Sequence, residues 1–227
     1  MATYACSDLH GCLDVWKKIQ NFLKKDDTIY VLGDCGDRGP EPWETIKAVL
    51  KEPRAIYLKG NHEKMLIDAM EDYLIYDTVM YENAAVLNMN GGEQTFAGWA
   101  AEEYKRDWKN LIKNLPVYKA YANLNGDMIY LTHAGFTPKV EQFGFKLPSE
   151  HDLLWGRDHI ADRWRGEKNA YVVHGHTPVS YFGESDNEIV YYCEGHKINL
   201  DCGTTFVRNH KIGILDLDTF DEHYFER

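Results

Sequence analysis

Residues 3–7 form a short apolar run that stops at Asp8, and Leu13, Trp16, Ile19, Phe22 and Leu23 then fall on one face at helical spacing. A second run, 28–32, stops at Gly33 and Asp34. Pro42 suits the first turn of a second helix, with Trp43, Ile46, Val49 and Leu50 on its apolar face, and a third run, 55–58, stops at Gly60 and Asn61. The pattern predicts βαβαβ. Asp8 and Asp34 are 26 residues apart and Asp34 and Asn61 are 27 apart, close to the length of a βαβ unit, so the three strands are expected parallel with their carboxyl ends together. The polar residues that follow them then converge on one edge, where open α/β sheets bind ligands.

Residues 63–115 read as mostly helical, with an interruption at Asn90-Gly91-Gly92, and the latter half reads as strands. Asn125-Gly126 marks a hairpin between 118–122 and 128–132, and 170–173 and 211–217 are further strand candidates. With no repeat, low-complexity tract or linker, residues 1–227 are expected to form a single α/β domain in which 63–115 shapes substrate access.

Hydrophobic residues make up 44% of the chain and charged residues 27%, as in ordinary globular proteins, which excludes a disordered or fibrous chain. The net charge of −11 repels phosphate backbones and anionic lipid, so neither nucleic acid nor membrane is an expected partner. An anionic substrate has to be drawn in by a local positive feature, arginine or bound metal. The five cysteines (Cys6, Cys12, Cys35, Cys193, Cys202) show neither C-x-x-C pairs nor zinc-finger spacing. No signal-peptide pattern opens the chain and no apolar run nears the ~20 residues of a membrane span, so a reducing, cytoplasmic setting is expected.

The chemistry concentrates at the strand ends: Asp8 and His10 after the first, Asp34 after the second, Asn61 and His62 after the third, His133 after 128–132, and His176 after 170–173. Taken singly, such an Asp is a turn or cap residue and such a His a hydrogen-bonded packing residue. Jointly, carboxylate, imidazole and amide oxygen are a ligand set for hard to borderline divalent ions, too many for one tetrahedral ion and suited to two ions sharing a bridging carboxylate.

The blocks Asp8-Leu9-His10-Gly11, Gly33-Asp34-Cys35-Gly36-Asp37-Arg38-Gly39, Gly60-Asn61-His62-Glu63 and Gly175-His176-Thr177-Pro178 resemble the signature of the calcineurin-like metallophosphoesterases. Asp37-Arg38-Gly39 resembles their phosphoprotein phosphatase branch, and 198–206 resembles the strand and turn of its phage-type members. The resemblance implies a β-sandwich flanked by helices, with Asp8 and His10 on one metal, Asp34 bridging, and Asn61, His133 and His176 on the other. It implies attack on phosphorus by a metal-bridging hydroxide, His62 as general acid, Asp37 orienting its ring, and Arg38 and Arg157 binding phosphate oxygens. Manganese is the expected metal, and zinc or iron suits the same donors. The implied substrate is a phosphorylated protein or peptide, or a small phosphorylated molecule, with symmetrical dinucleoside tetraphosphate hydrolysis as the main alternative.

Some features depart from the family pattern or compete with it. Cys35-Gly36 stands where apolar or aromatic residues are expected, which makes the thiol either a packed core group or a redox-sensitive one. His174, on the same side of an extended strand as His176, is either a supporting residue or an alternative ligand. Cys202 and Arg208 have the C-x5-R spacing of cysteine-dependent phosphatases, although 211–217 alternates like a strand where that chemistry needs a helix N-terminus. A non-catalytic phosphopeptide-binding module is the remaining alternative, and the presence of His62, Asp37 and both arginines speaks against it.

Overall fold

β1 (Thr3–Cys6), β2 (Thr28–Val31) and β3 (Ala55–Tyr57) pair in parallel, with Thr3 opposite Thr28 and Ile29 opposite Ala55. The crossovers are α1 (Leu13–Phe22) and α2 (Pro42–Leu50). The computed structural model describes residues 1–137, 140–141, 144–145, 148–183, 187–204 and 211–227.

α3 (Asn61–Tyr76), α4 (Tyr81–Met89), α5 (Glu93–Ala100) and α6 (Lys105–Lys113) follow, so 63–115 is helical as expected. α3 begins at Asn61 because Glu63 reaches back to the Gly60 N–H and closes the first turn. β4 (Tyr118–Ala122) and β5 (Met128–Thr132) form the expected hairpin, with Gly126 supplying a left-handed turn residue. Next come the ribbon β6 (Val140–Glu141) and β7 (Gly144–Phe145), α7 (Glu150–Trp155), β8 (Ala170–His174), β9 (Val190–Tyr192), β10 (Lys197–Asn199), β11 (Lys211–Asp216) and β12 (Glu222–Glu226).

Two mixed five-stranded sheets result, in the orders β12-β11-β1-β2-β3 and β4-β5-β8-β10-β9. They pack face to face: Ala5, Tyr30, Leu32 and Leu58 of the first share one cluster with Ile129, Leu131, Val173 and Ile198 of the second. Alternate residues of the first sheet, Tyr4, Cys6, Ile29, Val31 and Tyr57, point the other way and meet Trp16, Ile19, Trp43, Ile46 and Trp99 of the helices. Burial on both faces explains why these strands read as unbroken apolar runs. The outer face of the second sheet carries a smaller cluster of Phe136, Leu153 and Val172. The expected architecture, a single α/β domain with a helix-flanked β-sandwich, is what the chain forms. Among the described residues no helix is long and apolar enough to cross a membrane.

Candidate metal centre

The carboxyl ends of β1, β2, β3, β5 and β8 meet at one edge, and the loops after them are laced together by backbone hydrogen bonds. Asp8 N–H donates to Gly33 O at 3.2 Å, His10 N–H to Asp34 O at 2.9 Å, and Gly175 N–H to His133 O at 2.8 Å. Close approach demands glycine at several points. A Cβ at Gly60 would lie 2.1 Å from Asp34 Oδ1, and one at Gly175 would lie 2.0 Å from Asp8 Oδ2. Asp8, His10, Asp34, Asp37, Arg38 and His176 all adopt left-handed backbone, six of the eleven non-glycine residues that do so among those described. Such conformations are costly and gather where a side chain must be aimed.

Each expected ligand reaches this edge. Asp8 Oδ2 accepts from Ser7 Oγ at 2.5 Å and His176 N–H at 3.0 Å, while Oδ1 faces His10 Nε2 at 3.8 Å. Asp34 Oδ1 accepts from His62 N–H, and its Oδ2 lies 3.9 Å from His10 Nε2, 3.7 Å from His62 Nε2 and 3.4 Å from His133 Nε2. Asn61 Oδ1 sits 2.8 Å from His133 Nε2 and 2.9 Å from His176 Nδ1. Two donor groups emerge, His10–Asp34–His62 and Asp34–His133–His176, each with its ligand atoms within 4.8 Å of one another, and Asp34 belongs to both.

The donor set fits cations. His10 Nδ1 is held by Gly36 O at 3.0 Å and His133 Nδ1 by Leu32 O at 2.7 Å. A carbonyl only accepts, so both rings carry their hydrogen on Nδ1 and turn an Nε2 lone pair inward. For His133 that lone pair meets Asn61 Oδ1, another acceptor, at hydrogen-bond distance. A proton or a cation between them satisfies both, as does an Asn61 amide turned to donate from Nδ2.

The electrostatics lead to the same conclusion. Burial disfavours charge on His133, yet the Asp34 carboxylate overcomes it and lifts the ring to about 10. Burial likewise opposes ionisation of Asp34, but His133 and His62 hold it well below the usual carboxylate range. Asp8 is pushed up by burial and by Asp34. His10 is driven well below its ordinary value by burial and the His62 charge, and His176 down to about 2 by burial and His133. Buried carboxylates that compete for a few imidazolium protons are a site short of positive charge.

The remaining expected residues line the edge. His62 Nδ1 donates to Asp37 Oδ2 at 2.5 Å; burial lowers the ring's basicity, but Asp34 and Asp37 outweigh it and raise it above its ordinary value. Arg38 Nη1 lies 2.8 Å from His10 Nε2. Arg157 is exposed just after α7, close enough for its charge to bear on His176.

His174 is not brought into the ligand group: its Nδ1 engages Gly175 O and its Nε2 engages the Tyr192 hydroxyl, beside His159. Cys35 is a packed core thiol, held well above its ordinary value by burial and by Glu63. Cys202 is buried in the sandwich core and pushed up to about 12 by burial and Asp201, so it is a protonated thiol at neutral pH and unfit as a nucleophile. Arg208 lies outside the described residues.

Three contributors carried no expected role. The buried Glu63 carboxylate accepts from Asp34 N–H (2.8 Å), Cys35 N–H (3.0 Å), Gly60 N–H (2.8 Å) and the Tyr57 hydroxyl (2.6 Å), tying β2's exit to α3. Its signal was the Gly60-x-x-Glu63 capping spacing. Asp201, past the end of β10, is a buried carboxyl held well above its usual range by burial and Asp8, and the strand-end rule extended to β10 finds it. Thr95, on α5, contacts Asp37, and no local sequence signal marks it.

A family model described as calcineurin-like phosphoesterase matches residues 1–200. The symmetrical bis(5'-nucleosyl)-tetraphosphatase of Actinobacillus pleuropneumoniae serotype 5b (strain L20) is 26% identical, covering 86% of this chain and 73% of its own. Serine/threonine-protein phosphatase 1 of Salmonella typhimurium (strain LT2) is also 26% identical, covering 78% of each. Among solved structures, a metallophosphoesterase from Sphaerobacter thermophilus superposes with a TM-score of 0.57 at 14% identity, over 100% of this chain and 87% of that one.

Proposed function

The chain belongs to the calcineurin-like phosphoesterase family, and from that membership we propose that it hydrolyses phosphate monoesters with two divalent cations, acting on phosphoserine and phosphothreonine in proteins. The observation that carries the reading is the position of Asp34 in both donor groups at once. In it, Asp8, His10 and Asp34 hold one cation, and Asp34, Asn61, His133 and His176 hold the other. When bound, the pair supplies Lewis acidity toward phosphoryl oxygens and acidifies water, with manganese the proposed metal and zinc or iron suited to the same donors.

The protein's own groups do the rest. Arg38 and Arg157 provide guanidinium forks that match phosphate oxygens and offset the net charge of −11 locally. His62, whose basicity Asp34 and Asp37 raise against the effect of burial, gives its Nε2 proton to the ester oxygen as the P–O bond breaks, and the neutral ring keeps its Nδ1 hydrogen on Asp37. That transfer is worth roughly 10² to 10⁴ in rate for an alkoxide leaving group. Five free cysteines and the −11 charge suit a cytoplasmic enzyme that binds neither nucleic acid nor membrane.

A second reading, symmetrical dinucleoside tetraphosphate hydrolysis, is supported by the Actinobacillus relative, whose alignment takes in 86% of this chain. The test is hydrolysis by chelated protein given Mn²⁺, Zn²⁺ or Fe²⁺ singly, read as phosphate release from phosphoserine and phosphothreonine peptides and, in parallel, as nucleoside diphosphate formation from a dinucleoside tetraphosphate. Peptide turnover supports the first reading. Cleavage of only the tetraphosphate, into two nucleoside diphosphates, transfers the function to the second, and inactivity on both with two ions bound overturns both.

A further inference from the structure

We propose that Thr95 is a positioning residue for the general acid: its hydroxyl, contributed by α5, fixes the Asp37 carboxylate that in turn fixes the His62 ring. The inference rests on the phosphomonoesterase reading above, because it assigns His62 the proton delivered to the leaving group.

Thr95 is fully buried, and its Oγ makes two contacts, both with one residue. It accepts from Asp37 N–H at 3.0 Å and donates to Asp37 Oδ1. With Oδ1 occupied, the other carboxylate oxygen, Oδ2, is directed at His62 Nδ1 at 2.5 Å. Asp37 needs such a hold. It adopts left-handed backbone (φ 64°), as does Arg38 (φ 63°), a conformation that non-glycine residues leave readily unless their surroundings impose it. The hydroxyl grips backbone and carboxylate together, so it restrains both the turn and the side-chain torsion. A lone aspartate–histidine hydrogen bond would leave the carboxylate free to rotate, and the His62 Nε2 proton would sweep away from the ester oxygen. A misplacement of about 1 Å is enough to cost ~10²-fold in rate.

Thr95 and Asp37 are 58 residues apart, and the hydroxyl comes from the helical segment rather than from either sheet. The same segment also grips the loop nearby, where Arg38 N–H donates to Gly91 O at 3.1 Å. The aim of the acid is therefore set by the α4–α5 turn and the start of α5, elements that hold none of the proposed metal ligands.

Packing is the competing explanation, since the Thr95 methyl also lies close to Gly36: a Cβ built at Gly36 would sit 3.1 Å from Thr95 Cγ2. Two variants separate methyl from hydroxyl. Thr95→Val keeps the shape and removes the hydroxyl; Thr95→Ser keeps the hydroxyl and removes the methyl.

The readout is the ratio of turnover on an alkyl phosphate, whose leaving group needs the proton, to turnover on p-nitrophenyl phosphate, whose leaving group does not. Thr95→Val lowers this ratio roughly 10- to 100-fold relative to the parent, and Thr95→Ser restores it to within about threefold. A ratio unchanged in Thr95→Val overturns the proposal, as does one depressed equally in both variants. A second measurement is independent of turnover. In metal-free protein labelled with ¹⁵N-histidine, the His62 Nδ1 proton, assigned by its loss in His62→Asn, is a downfield, slowly exchanging resonance in the parent and in Thr95→Ser, and moves upfield in Thr95→Val. If the parent releases phosphate from neither ester, the phosphatase reading fails, and the resonance alone decides the Thr95 contact: upfield movement supports it and no movement overturns it.

Discussion

Single residues at this edge carry separable duties. His62 is tied to Asp37, and Asp34 and Asp37 raise its ring above its ordinary value against the opposing effect of burial, which suits the proton-donor role proposed for its Nε2. His62→Asn is therefore expected to cut turnover on alkyl phosphates by about 10²- to 10⁴-fold with two metals per chain retained, as checked by atomic absorption beside the assay. Loss of both ions in that variant would reassign His62 as a ligand. Glu63 has the opposite character, since it touches no reacting group yet satisfies three backbone N–H groups and a tyrosine hydroxyl. Glu63→Ala leaves those donors buried and unpaired and is expected to destabilise the metal-free protein by about 3 kcal/mol, read as a lower urea midpoint at constant m. A change under about 1 kcal/mol would mean that water replaces the carboxylate at no cost.

Among the elements, the ones with both faces buried were the most legible. β1, β2 and β3 announced themselves as apolar runs that end in glycine and a polar residue at near-equal spacing, and the strand ends carrying Asp8, Asp34 and Asn61 follow from that repeat. β9 and β12 did not, because they occupy sheet edges, where only half of each strand needs to be apolar, and β10 was marked only by the resemblance of 198–206. Long-range partners were also hidden. Thr95 reads as an ordinary first-turn residue of α5, and nothing in its neighbourhood points 58 residues back. Between elements, Arg54 anchors the end of α1, donating to Gln20 O and Leu23 O, and is itself held by Glu52. Hydrogen bonds from Arg54 hold the Glu52 carboxyl down to about 2, against an ordinary 4.5. Because the folded value is the lower one, this contribution is fully present above pH 4.5 and is lost as pH falls toward 2. Glu52→Gln is expected to lower stability by about 1 to 2 kcal/mol at pH 7, after allowance for solvent screening, with parent and variant converging near pH 2 in urea melts. A pH-independent gap would assign the effect to shape rather than charge.

For the molecule as a whole, the two sheets are joined by apolar packing along their length and by charge at one edge. His133 and His176 come from the second sheet, whereas Asp8, His10, Asp34 and Asn61 come from the first. Divalent ions held there are expected to stabilise the fold by mass action, about 2.7 kcal/mol at a free concentration 100 times Kd, seen as a higher Tm with Mn²⁺ than with chelator. Asp34→Asn should abolish most of that rise, and an unchanged Tm on loading would contradict a site shared between the sheets. The same division of labour bears on biosynthesis. The donors are spread from Asp8 to His176, so a chain still being translated has the first sheet's half of the centre long before the second half leaves the ribosome. On the proposed ligand set, a nascent or truncated copy that lacks His176 is expected to be catalytically silent, with hydrolysis requiring near-complete synthesis.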